Sequence, residues 1–114
     1  MKCRSVVNEV VQEATVLFGK PWVVNEDYLN SLLEHCDIID ELMAEFDAIG
    51  FDVDVNPVEQ TIEVEMICPL MIIQTKGEDH KLFQLMGKCN ECWFSYVDDS
   101  NSGVHMIFPS VWTV

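Results

Sequence analysis

Positive charge is what this chain most lacks. Between Pro21 and Gln74 there is no lysine or arginine, and the same stretch holds thirteen Asp and Glu residues. Over all 114 residues six bases face twenty acids, a formal net charge of −14. A nucleic-acid-binding domain gains much of its affinity by setting Lys and Arg against phosphates, and so few bases among so many acids cannot form that stripe. Direct binding to nucleic acid is therefore not expected, nor is docking on an anionic membrane surface. Long apolar runs are missing too. The longest, Ile67 to Ile73, contains Pro69 and is too short to cross a bilayer. Val6 to Phe18 is interleaved with Asn8, Glu9, Gln12 and Glu13, unlike the unbroken core of a signal peptide. A soluble, cytoplasmic protein without a membrane partner is expected.

Signatures of catalysis are also missing. His35, His80 and His105 share no recognisable spacing with a nucleophile, Ser95 and Ser110 lie in no G-x-S-x-G turn, and no glycine-rich phosphate loop is present. Five cysteines form no regular framework, so reduced thiols are expected. Cys89-Asn-Glu-Cys92 is a single C-x-x-C, a spacing that suits zinc or a redox disulfide. A structural zinc site needs about four ligands, and the fold would have to gather His80, His105, Cys36 or Cys68 to complete one. Packing of Cys89 as a small hydrophobe, with Cys92 opening a strand, is the simpler reading. Asp98 to Gly103 lacks the spaced acidic pattern of an EF-hand loop and reads as a hairpin turn. No catalytic residue, metal or cofactor is expected. The alternative is a metal- or thiol-dependent enzyme that uses Cys89 and Cys92 with a histidine, or a hydrolase pairing Cys36 or Cys92 with His105.

What the chain does contain is enough apolar sequence for a core: 49% apolar against 23% charged residues, in a length that fits one domain spanning residues 1–114. Val6, Val7, Val10, Val11, Ala14, Leu17 and Phe18 fall at helical spacing, predicting a helix from about Ser5 to Phe18 that Gly19 and Pro21 end. Valine lowers helix propensity, so a strand over Val6 to Val11 is the competing reading. Asn25 as a cap and Gly50 as a terminator frame a long second helix over Glu26 to Ile49. Its apolar face is Tyr28, Leu32, Cys36, Ile39, Met43 and Phe46. Asp27, Glu34, Asp37, Glu41 and Glu45 make a stripe roughly opposite. Asp37 with Glu41, and Glu41 with Glu45, are like charges one turn apart, each pair unfavourable by about 0.2–0.5 kcal/mol. A stripe kept at that cost serves solubility or a partner.

Alternation then takes over. Phe51, Val53 and Val55 alternate with Asp52 and Asp54, and Ile62, Val64 and Met66 alternate with Glu63 and Glu65, an antiparallel hairpin with one apolar and one acidic face. A loop at Asn56 to Glu59 sets Asp52 opposite Glu63 and Phe51 opposite Val64. Leu70 to Ile73 reads as a further short strand after Pro69, Asp79 to Lys88 as a third helix, and Trp93 to Val97 and Val104 to Phe108 as a second hairpin. Trp93, Ser95 and Val97 share one face of their strand while Phe94 and Tyr96 share the other, as in a central strand or one at a partner interface. The apolar end, Pro109 to Val114, suits docking on the domain or on a second copy, so a homodimer is one expected arrangement.

The element order predicts an α+β fold: an antiparallel sheet of four to five strands with two N-terminal helices and one inserted helix packed on one face, in the order ααββ(β)αββ. The functional expectation is an acidic binding module without catalysis. It would engage a basic protein through the helix stripe of Asp27, Glu34, Asp37, Glu41 and Glu45 and the hairpin face of Asp52, Asp54, Glu63 and Glu65. One sharper alternative is a decoy whose carboxylates imitate nucleic acid phosphates, as inhibitors from phages and mobile elements do.

Overall fold

A computed structural model describes residues 2–19, 22–24, 26–89 and 91–112, with the side chains at 18, 22–24, 26–27 and 109–112 outside the description. The elements run α1 (Cys3–Phe18), β1 (Trp22–Val24), α2 (Glu26–Glu45), β2 (Gly50–Asn56), β3 (Thr61–Ile67), α3 (Leu70–Lys76), α4 (Lys81–Lys88), β4 (Cys92–Asp98) and β5 (Asn101–Trp112). This is the α+β order expected, with helices packed against an antiparallel sheet. Strand β1 is an addition to it, and helix α3 stands where the further strand, the bracketed β of that order, was expected.

The valine-rich first segment is helical despite its propensity, because burial and two caps compensate. Cys3 and Val7 are buried, and the Cys3 N–H at the helix start donates to Asp40 Oδ1 on α2 at 2.7 Å. At the other end Gly19 takes the left-handed conformation, φ 69°, and its N–H donates to the Thr15 carbonyl. Helix α2 buries Leu32, His35, Cys36, Ile38, Ile39 and Leu42. It ends at Glu45 rather than Ile49, since a turn after Phe46 swings Ile49 back into the core and leaves Gly50 to begin β2. The expected cap, Asn25, lies outside the described residues.

The sheet runs β2-β3-β5-β4 across, with β1 paired to the far end of β5. Ile62, Val64 and Met66 of β3 and Val104, Met106 and Phe108 of β5 are wholly buried beneath the helices. The first hairpin keeps the expected faces but not the expected register. Asp52 lies opposite Glu65, Asp54 opposite Glu63 and Phe51 opposite Met66, a shift of two residues. The cause is local: Asn56 stays in the ladder opposite Thr61, and its side-chain oxygen accepts from the N–H groups of Val58 and Glu59. The loop is therefore Pro57 to Gln60, with Gln60 at φ 57°. A shift by an even number preserves which side chains face the core.

Two other expectations are corrected. Leu70 to Ile73 is the first half of α3, not a strand. Cys68 makes the last bond to β5, Pro69 cannot donate another, and the chain turns into a helix that buries Ile73. The turn of the second hairpin is also tighter than Asp98 to Gly103. Asp98 accepts from Ser100 N–H and Asn101 Nδ2, so Asn101 already pairs with Asp98 and β5 extends to Trp112. The apolar C-terminal stretch is thus partly sheet, with Ser110 to Trp112 paired to β1. Among the described residues no helix is long and apolar enough to cross a membrane.

Candidate functional site

The acidic block divides between opposite sides of the molecule. Helix α2 lies on one face of the sheet with its carboxylates turned away from it, while the hairpin carboxylates project from the other face. Of the helix stripe, Asp37 pairs with Arg4 of α1 at 3.1 Å, Glu41 pairs with Lys81 of α4, and both oxygens of Glu45 accept from Lys76 of α3 at 2.7 Å. Lys76 Nζ also sits 5.1 Å over the Phe46 ring. Three of the chain's six bases therefore return to the base-free block and meet its helix. Glu34 is exposed and makes no ion pair among the described residues, and the Asp27 side chain lies outside them.

Among the described residues no Lys or Arg pairs with the hairpin carboxylates. Asp52 and Asp54 on β2 lie directly opposite Glu65 and Glu63 on β3. Slight desolvation, then the charges of Asp52 and Glu63, hold the Asp54 carboxyl above its usual range. Among the described residues the one basic group facing them is His105 on β5. Its Nδ1 is 2.9 Å from Glu63 Oε1, and its Nε2 is 2.9 Å from Ser95 Oγ and 3.4 Å from Glu65 Oε1. The Trp93 indole stacks on the imidazole, rings 4.7 Å apart and 5° from parallel. Gly103 leaves the room for this cluster: a Cβ there would stand 2.7 Å from Glu65 Oε1 and 3.1 Å from Ser95 Oγ.

Ser95, His105 and Glu63 thus align in the order of a nucleophile, base and orienting carboxylate. The setting does not favour acyl transfer. Ser95 lies within an extended strand, where successive N–H groups point in opposite directions instead of converging on a developing oxyanion. Neither Cys36 nor Cys92 is brought to His105. Cys36 is in the core on the helix side. Cys92, opposite buried Met106, faces that side too and donates its thiol to the Met86 carbonyl at 3.2 Å. His105 projects from the other face. Burial, then Cys92 and Glu34, pushes the Cys89 thiol up from its usual range, away from a reactive thiolate. Among the described residues no three His, Cys, Asp or Glu side chains gather to hold a metal ion.

The other two histidines have structural roles. His80 caps α4, its Nδ1 accepting from Leu82 N–H at 3.1 Å, and burial with Lys76 and Lys81 lowers its pKa. His35 is in the core. Reasoning from sequence missed the cluster around His105 because it depends on the β4–β5 register, which shifts at a bulge between Tyr96 and Asp98. The alternation of Trp93 with Ser95 was the only visible signal. No family model, curated protein or solved structure matches the chain.

Proposed function

We propose that the protein is a non-catalytic binding module whose acidic sheet face engages a basic surface of another protein. One observation carries this reading: three of the chain's six bases meet the helix stripe, while among the described residues Asp52, Asp54, Glu63 and Glu65 have only His105 beside them. Four carboxylates across two paired strands repel one another, so a cationic partner relieves a strain that the fold itself leaves in place. Charge of this kind steers encounter and sets orientation. Affinity then comes from burying exposed apolar surface at the rim of the face, where Trp93 is 44% exposed.

The test is affinity capture from the native host with three forms of the full chain. A basic protein should be retained by the wild type and by D37N/E41Q/E45Q, lost by D52N/D54N/E63Q/E65Q, and released steeply by salt. Equal retention by the hairpin variant, or salt-indifferent binding, would refute the reading.

A further inference from the structure

The two edges of the sheet differ in kind. On β2 the sequence alternates Asp with apolar residues, a charged pattern that discourages pairing with another strand. On β4 the sequence Cys92-Trp-Phe-Ser-Tyr-Val-Asp98 has no lysine, no proline and no charge before its last residue. Trp93, Phe94, Tyr96 and Val97 are respectively 44%, 37%, 56% and 79% exposed. Only β5 pairs with β4 among the described residues. The direction of its backbone groups follows from one bond. Ile107 N–H donates to the Glu91 carbonyl at 2.9 Å, so Trp93 and Ser95 exchange bonds with His105 and Gly103 in the same phase. The N–H and C=O groups of Cys92, Phe94 and Tyr96 therefore point away from the sheet, at its open edge.

We infer that β4 is a docking edge for an extended segment of a basic partner protein, which adds to the sheet as a further strand beside β4. This rests on the proposed binding role and specifies its geometry. Charge decides the occupant. The apolar middle of the edge is bounded by exposed Glu91 at one end and by exposed Asp98 and Asp99 at the other. A second copy pairing antiparallel about Ser95 would set Glu91 of each chain against Asp99 of its partner, and would join two chains each of net charge −14. A segment with alternating apolar residues and a Lys or Arg at each end matches both the apolar middle and the acidic ends. Main-chain bonds to Phe94 and Tyr96 supply affinity, and the acidic face beside β5 supplies further attraction for the partner's bases.

The probe is a displayed library of random peptides selected on the full-length protein, with the most enriched sequence then synthesised. Enriched peptides should carry Lys or Arg flanking alternating apolar residues. On binding, amide hydrogen exchange should slow at Phe94 and Tyr96 and stay unchanged at Trp93 and Ser95, whose amides already bond to β5. Phe94→Pro removes an outward N–H that the fold does not use, and should weaken the peptide about tenfold. The exchange measurement on wild type stands even where that variant fails to fold. No enrichment, or enrichment without protection at Phe94 and Tyr96, overturns the inference. Protection of those amides in a concentration-dependent dimer, without peptide, assigns the edge to a second copy and also overturns it. Binding lost in D52N/D54N/E63Q/E65Q without edge protection keeps the acidic-face reading and removes only the docking edge, whereas binding indifferent to both sets of changes removes both.

Discussion

His35 shows how much one side chain can cost this fold. It is wholly buried on α2, its Nε2 lies 3.2 Å from the Val64 carbonyl, and its Nδ1 has no partner. Bonding to a carbonyl requires the proton on Nε2, so the neutral ring presents an unsatisfied lone pair to the core. Burial lowers its pKa from 6.5 to about 4. The sign follows directly. Above pH 6.5 neither state is protonated and the contribution is complete, while between 6.5 and 4 the unfolded chain takes up a proton that the fold refuses. Stability should fall across that window by about 3 kcal/mol. Denaturant titrations at neutral pH and near pH 4 would measure it. His35→Met should remove this part of the acid sensitivity, and an identical pH dependence in variant and wild type would refute the assignment.

Among the elements, α1, α2, α4 and the two faces of the first hairpin were legible because their periods are clean. The apolar spacing of α2, the alternation of Phe51 to Val55 and Ile62 to Met66, and the helical pattern of Leu82, Leu85 and Met86 all meet the core as expected. Errors arose where period says nothing. Leu70 to Ile73 is four apolar residues in a row, equally good as a buried strand or a helix turn, and only the loss of the ladder at Pro69 decides. Strand β1 is three residues long and gains its identity from pairing with a distant segment. The candidate site was half legible, since alternation found the carboxylates but could not place their cations. Helix α3 bears on this, because Lys76 near its C-terminal end both neutralises Glu45 and covers Phe46. Lys76→Ala should therefore lower stability by about 0.5–1.5 kcal/mol, more than Lys81→Ala, whose partner Glu41 is the more exposed. Thermal denaturation of the two variants checks the order, and equal losses would mean that the pairing with Phe46 contributes nothing.

At the scale of the whole molecule, a net charge of −14 is distributed so that two acidic surfaces carry opposite consequences for stability. The helix stripe links α2 to α1, α3 and α4 through Asp37, Glu41 and Glu45, so removing its charge breaks contacts between elements. Among the described residues Asp52 and Asp54 of the sheet face make no ion pair to another element, and removing their charge relieves repulsion from Glu65 and Glu63. The raised value of Asp54 agrees in sign: the fold favours its protonated form, a contribution present at low pH and lost as pH rises through the folded value. D37N/E41Q/E45Q should therefore be less stable than wild type and D52N/D54N more stable, each by about 0.5–1 kcal/mol after solvent screening, with melting temperatures shifted in the same directions. Added salt screens exposed charges beyond about 8 Å, so it should raise the wild-type melting temperature and raise that of D52N/D54N less. A lower melting temperature for D52N/D54N would show that the sheet carboxylates serve the fold. A higher one would mean that the chain carries them on that face at a cost in stability, as expected where charge is kept for a partner instead of for the fold.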